Sequence, residues 1–155
     1  MKDNSLVPAN EIWYTTTDGK PLEIGGFSQK MVSNIYKEGK GVIVFTEPIA
    51  TIAWDDNSFT YRSAFLRCAN LQEVVIPKGV ISIGEGAFLG CSSLGVVHLP
   101  IGVSKFVCKY EHPFKDCDNL KAIYVPKNRV EYYKRRFPSD MHWLIADDRY
   151  SFEFC

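Results

Sequence analysis

Three segments of this chain are written to one plan, and the plan leaves few folds open. Ala64-Phe65-Leu66-Arg67-Cys68-Ala69-Asn70-Leu71 is followed by Val74, Ile76 and Pro77. Ala87-Phe88-Leu89-Gly90-Cys91-Ser92-Ser93-Leu94 is followed by Val97, Leu99 and Pro100, and Pro113-Phe114-Lys115-Asp116-Cys117-Asp118-Asn119-Leu120 by Ile123, Val125 and Pro126. Phe, Cys, Leu and Pro advance together, by 23 residues and then by 26. A fixed period of this size marks a solenoid, in which one coil cannot bury its own apolar face and must stack on its neighbour.

The period assigns physical roles within each coil. Leu71, Val74 and Ile76 are expected to point inward from a short strand, with Leu94, Val97 and Leu99 stacked next, then Leu120, Ile123 and Val125. Parallel strands in register lie about 4.8 Å apart, so equivalent side chains form ladders that fill the interior. Phe65, Phe88 and Phe114 form a second ladder on the opposite wall, beside Val80, Ile83, Val103 and Phe106. Pro77, Pro100 and Pro126 end their strands by withholding the next amide donor. Cys68, Cys91 and Cys117 share one repeat position and are read as a buried ladder of small, unbridged side chains. Cys108 and Cys155 lie outside it, and an odd total of 5 argues against a full disulfide framework.

These residues resemble the BspA-type leucine-rich repeat: an Ala-Phe, a Cys three residues later, a Leu three after that, and an Ile-Pro closing the strand. The second copy keeps the pattern nearly intact, and the resemblance is strong over about residues 40–130. It implies a leucine-rich repeat solenoid: a short, right-handed array of three to four coils of about 23 residues, with parallel strands on one face. It also implies a binding or adhesion scaffold rather than an enzyme, since such repeats are common in surface or secreted proteins of host-associated microbes. Some of those bind host matrix proteins or other cells.

Before the repeats, Ile12 to Thr17 is rich in aromatic and β-branched residues, and Asp18-Gly19 is a two-residue turn signal. A first hairpin is expected to return through Leu22 or Ile24. Met31 to Tyr36 reads as a strand closed by Lys37-Glu38-Gly39-Lys40. Gly41 to Phe45 then aligns with the repeat as a degenerate first coil: Ile43 and Phe45 match Val74 and Ile76, and Ile49 and Ile52 match Val80 and Ile83. Between Ile52 and Phe65 an insertion carrying Trp54, Asp55, Asp56, Phe59 and Tyr61 either packs on the solenoid or presents aromatics to a partner. The resulting organisation is a β-hairpin cap over 1–40, repeats over 41–126, and a helix and strand cap over 127–155, all one structural domain.

After Pro126 the period changes to that of a helix. Asn128 and Glu131 have capping-box spacing, and Val130, Tyr133 and Phe137 share one face. Lys134, Arg135 and Arg136 fall near its end, either solvated or offered to an acidic partner, and Pro138 stops it. Trp143-Leu144-Ile145 is expected to add a last strand or plug, and Tyr150 to Cys155 to pair with an edge.

Charge narrows the partners. Eighteen basic and 18 acidic side chains balance, which is not the footprint of a nucleic-acid binder. No apolar run reaches the roughly 20 residues needed to span a bilayer. The start, Met1 to Pro8, lacks the continuous apolar segment of a secretory signal, so the chain is read either as cytoplasmic or as a mature secreted or surface region.

A site must therefore come from the displayed surface. The outward strand positions are Val42 and Val44, Glu73 and Val75, Val96 and His98, and Ala122 and Tyr124. They form a mostly apolar face about 15 to 20 Å across, suited to a protein partner such as a host matrix or cell-surface protein. Glu73, Val75, Val96, His98, Ala122 and Tyr124 are the candidate contact residues. The enzymatic alternative is a thiol-dependent or hydrolytic site in the Cys108 to His112 loop, where Cys108, His112 and Cys117 lie within ten residues and a thiol nucleophile would need a base from among His98, His112 and His142. A zinc site would want four ligands, and Cys117 is already assigned to the core. Gly84-Glu85-Gly86 lacks a following Lys-Ser or Lys-Thr and is read as a turn. No cofactor, metal or catalytic residue is expected, and self-assembly through edge strands is the structural alternative.

Overall fold

The structure, a computed structural model, describes residues 6–24, 27, 29–52, 64–107 and 112–147. In chain order the strands are β1 (Glu11–Thr16), β2 (Met31–Lys37), β3 (Lys40–Phe45), β4 (Thr51–Ile52) and β5 (Leu71–Val75). They continue with β6 (Ser82–Ile83), β7 (Val96–His98), β8 (Lys105–Phe106) and β9 (Ala122–Val125). Helix α1 (Val130–Lys134), a 3-10 helix (Ser139–Leu144) and β10 (Ile145–Asp147) follow.

The repeated segments stack in register. β5, β7, β9 and β10 pair in parallel, with Val74 opposite Val97, Val97 opposite Ile123, and Ile123 opposite Ile145. On the other wall β4, β6 and β8 form a second parallel sheet that aligns Ile52, Ile83 and Phe106. Between the walls the three phenylalanines stack face to face. Phe65 and Phe88 have centroids 4.9 Å apart with planes within 5°, and Phe88 and Phe114 are 5.2 Å apart within 8°. Phe27 closes one end of this stack edge-on against Phe65, and Phe137 lies over Phe114 at the other.

The cysteine ladder is more than small apolar filling. Cys91 Sγ donates to the Phe65 carbonyl at 3.0 Å and Cys117 Sγ to the Phe88 carbonyl at 3.1 Å, so each thiol bonds the preceding coil. Cys68 donates instead to the Glu23 carbonyl at 3.5 Å. All three are free thiols. Burial pushes the Cys68 thiol up to about 11 and the Cys117 thiol up to about 12, and it raises Cys91 as well. The residue before each Cys adopts a left-handed backbone: Arg67 at φ 54°, Gly90 at 73° and Asp116 at 59°. Only the middle copy fills that position with the residue suited to it.

Several expectations change at the front of the chain. The large sheet is mixed, with seven strands in the order β10-β9-β7-β5-β1-β3-β2. β1 is antiparallel to both β5 and β3, so its two edges are taken and no strand returns over 20–24. The expected first hairpin is thus absent there, although Asp18-Gly19 does turn the chain, with Asp18 Oδ1 accepting from the Lys20 amide at 3.1 Å. β3 does not lie beside β5 as a first coil, because β1 occupies that edge. The alignment holds on the smaller wall, where Ile52 sits opposite Ile83. Parallel strands accordingly line two walls rather than one face, and β1, β2 and β3 are built into the same sheet as the repeats. The turn Lys37 to Lys40 does form, with Glu38 and Gly39 at φ 53° and 78°.

Tyr14 anchors this front section. It is fully buried, its hydroxyl donates to Asn34 Oδ1 at 2.5 Å and accepts from the Leu22 amide at 3.3 Å. Gly41 faces it across the β1–β3 pairing, and a Cβ there would fall inside the ring.

At the other end α1 is five residues long and has no side-chain cap; Asn128 instead adopts φ 71° in the preceding turn, so the capping box is not made. Tyr133 and Phe137 are buried as the helical spacing requires. The Tyr133 hydroxyl donates to the Pro100 carbonyl and accepts from the Val103 amide at 3.1 Å, which ties the helix to the second coil. The last strand begins at Ile145; Trp143 lies in the 3-10 helix and is 72% exposed. The insertion at Trp54 to Tyr61, Cys108 and the stretch Tyr150 to Cys155 lie outside the described residues.

Candidate binding face

Strand pairing sets the outward side chains in transverse rows. One row crosses the whole sheet: Ile35, Val42, Trp13, Val75, His98, Tyr124 and Ala146 lie opposite one another in succession. A second runs through Thr15, Glu73, Val96 and Ala122. The six candidate residues thus fall into these two rows, three in each.

Their exposure is uneven. Val75 and His98 are 0% and 1% exposed, whereas Glu73, Val96, Ala122 and Tyr124 are half-buried. A face open along its full length is therefore not what the sheet offers; the centre of the first row is closed and the second row is the more accessible. Burial of His98 follows from its neighbours. Its Nε2 lies 2.6 Å from Glu73 Oε1, with the carboxylate accepting, and Tyr124 stacks on the ring with centroids 5.4 Å apart. This diagonal bond joins β7 to β5 and holds the Glu73 carboxylate in place on the face.

Beside the second row lies a groove of about 600 Å³ at the starts of the parallel strands. Gln72, Glu73, Ser93, Val96, Asn119 and Lys121 line it on one side, and Thr15, Thr17 and Tyr36 on the other. Gly39 and Gly95 contribute backbone only, which leaves it room. Ser93 and Asn119 hold one repeat position, so that part was readable from the period. Thr15, Thr17 and Tyr36 carried no such signal, because only the insertion of β1 between β5 and β3 brings them here.

The other sequence candidates are placed differently. His112 Nδ1 accepts from the Phe114 amide at 3.1 Å, and its ring packs against Phe114 and Phe137. Burial lowers its pKa, partly opposed by Asp140. Cys117 aims its thiol at the Phe88 carbonyl, and Cys108 lies outside the described residues. Among the described residues no three His, Cys, Asp or Glu side chains are grouped to hold a metal, and no helix is long and apolar enough to cross a membrane. The basic end of α1 is partly engaged: the Arg136 guanidinium lies 3.5 Å from the Tyr132 ring centroid, and Lys134 Nζ is 3.8 Å from Glu131.

Stacked copies with inward aliphatic ladders, an internal phenylalanine stack and a displayed sheet define a repeat protein of the leucine-rich class. Residues 58–142, more than half of the chain, match the family described as BspA type Leucine rich repeat region, counted as 6 copies, and the chain belongs to that family. No curated protein and no solved structure gives a significant match.

Proposed function

We propose that the chain is a non-enzymatic protein-binding or adhesion scaffold, a short capped solenoid that works at the cell surface or after secretion. Its family supports a protein-binding role in general. The observation that carries the reading is the second outward row: Glu73, Val96 and Ala122 sit half-buried beside a groove of about 600 Å³, with Tyr124 next to them. An aromatic and aliphatic strip rimmed by amides, hydroxyls and one fixed carboxylate is the composition of a protein contact rather than of a site for a highly charged ligand. Val75 and His98 act beneath it, holding the strip and the carboxylate rather than touching a partner.

The test is binding of the purified chain to an immobilised panel of host matrix and cell-surface proteins, read by surface plasmon resonance. Val96→Asp and Tyr124→Asp are each expected to lower affinity at least tenfold for a protein that binds the parent chain, since each puts a charge into an apolar contact. Retention of full affinity by both folded variants would remove this face from consideration.

A further inference from the structure

The groove beside the second outward row is lined almost wholly by polar side chains and glycine, and Val96 is the one aliphatic residue in it. It crosses three coils near the starts of their strands, where Gln72, Gly95 and Lys121 hold one repeat position and Ser93 and Asn119 another. The backbone there is already committed. The Gly95 amide donates to the Gln72 carbonyl at 2.9 Å, and the Lys121 amide to the Gly95 carbonyl at 2.8 Å. Side chains are therefore what the groove offers a ligand. Three of them are held in place with hydrogen-bonding capacity to spare. Glu73 meets His98 through Oε1 and keeps its second oxygen, while Asn119 Nδ2 donates to the Ser92 carbonyl at 2.6 Å and leaves Oδ1 to accept. The Tyr36 hydroxyl accepts from the Thr16 amide at 3.3 Å and keeps its own proton to donate.

We propose that this groove binds a neutral oligosaccharide laid across the strands. A sugar hydroxyl both donates and accepts, and the hydroxyls of Thr15, Thr17 and Ser93 and the amides of Gln72 and Asn119 answer both needs. Charge excludes the rivals. A phosphorylated or sulfated ligand would meet the fixed Glu73 carboxylate, and a cationic one would meet Lys121. A peptide read through its side chains needs apolar pockets, and one read through its main chain needs a free strand edge; the groove provides neither. Strands in register repeat about every 4.8 Å, close to the length of one pyranose unit in an extended chain, so equivalent positions on successive coils serve successive sugars. The volume of about 600 Å³ suits a short oligosaccharide. Gly95 keeps the middle of the groove open. A Cβ there would meet only the Asn119 and Gln72 carbonyls, at 3.7 and 3.9 Å, so the fold accepts a side chain at this position and the groove loses room. The inference does not rest on protein binding by the Val96 and Tyr124 strip.

Isothermal titration calorimetry of the full chain tests this with maltohexaose, cellohexaose, mannohexaose and chitohexaose, and with a heparin hexasaccharide as the charged control. At least one neutral chain is expected to bind, with an affinity that holds between about 0.05 and about 0.5 M salt, and more tightly than the heparin fragment. Gly95→Gln and Asn119→Ala are each expected to weaken it about tenfold, with thermal melting unchanged. The source of the sugar is read from a matrix glycoprotein before and after enzymatic removal of its glycans. Binding lost with the glycans supports a glycoprotein's sugar as the ligand, and binding of the free chains alone supports a polysaccharide. Failure of all four neutral chains at millimolar concentration, preference for heparin, or full affinity in both folded variants overturns the proposal. A chain that binds panel proteins through Val96 and Tyr124 yet no neutral sugar keeps the protein-binding face and loses this site.

Discussion

The two halves of the large sheet follow opposite rules. β5, β7, β9 and β10 run parallel and in register, each built by a segment of similar spacing, while β1, β3 and β2 run antiparallel and share no repeat. In the first half one coil's side chain meets the same side chain of the next, as in the stack of Phe65, Phe88 and Phe114. In the second, unlike residues interlock: the Tyr14 ring fills the space over Gly41 and its hydroxyl satisfies Asn34 and Leu22. Yet Tyr14 and Val74 are cross-strand partners, so both halves close one core. A repeat array can therefore be ended by a section that obeys different local rules, provided it offers a strand edge and an apolar face of the right register.

That equivalence can be broken by mutation. Phe88→Ala removes the middle of the aromatic stack and is expected to cost about 3 to 5 kcal/mol in urea denaturation. Gly41→Ala, which forces the Tyr14 ring aside, should cost about 1 to 3 kcal/mol. Both should lower the single transition followed by circular dichroism and by tryptophan fluorescence. If Gly41→Ala instead produced a separate early transition with the repeats intact, the front section would be an independent lid rather than part of the core.

Smaller effects sharpen the comparison inside the repeats. Gly90→Ala places a side chain at φ 73° with its Cβ 3.0 Å from Arg67 Cγ, and should cost about 1 to 2 kcal/mol. Asp116→Gly at the equivalent position, φ 59°, should leave stability equal or raise it by up to about 1 kcal/mol. Opposite signs at two equivalent sites would show that backbone conformation, not side-chain contact, governs that turn.

The thiols act only at alkaline pH, and the sign of their effect is fixed. In the folded chain Cys68 and Cys117 hold their protons up to about 11 and about 12, against an ordinary value of 9.0. Well below pH 9.0 both folded and unfolded thiols are protonated and stability does not respond to them. Above it the unfolded chain releases protons first, so stability should fall as pH rises through this window. Burial raises Tyr14 and Tyr133 in the same direction and adds to the decline. Near neutral pH the three ladder cysteines should resist alkylation until the chain unfolds, while rapid labelling of any of them would contradict the ladder.

The sequence by itself determined the ladders. Phe65, Phe88 and Phe114, the aliphatic rows and the cysteine position could be read because each coil repeats the environment of the last, so spacing alone states which residues meet. It also identified the outward positions on β5, β7 and β9, since side chains alternate along a strand. It did not reveal that β1 enters between β5 and β3, that Val75 and His98 are buried, or that Thr15 and Tyr36 complete the groove. Nor could spacing tell that Asn128 would take a left-handed turn instead of capping α1. Those features depend on which of several compatible strand edges pair across long separations in the chain. That choice is settled by the packing of particular surfaces, such as Tyr14 against Gly41, and only the tertiary structure contains it.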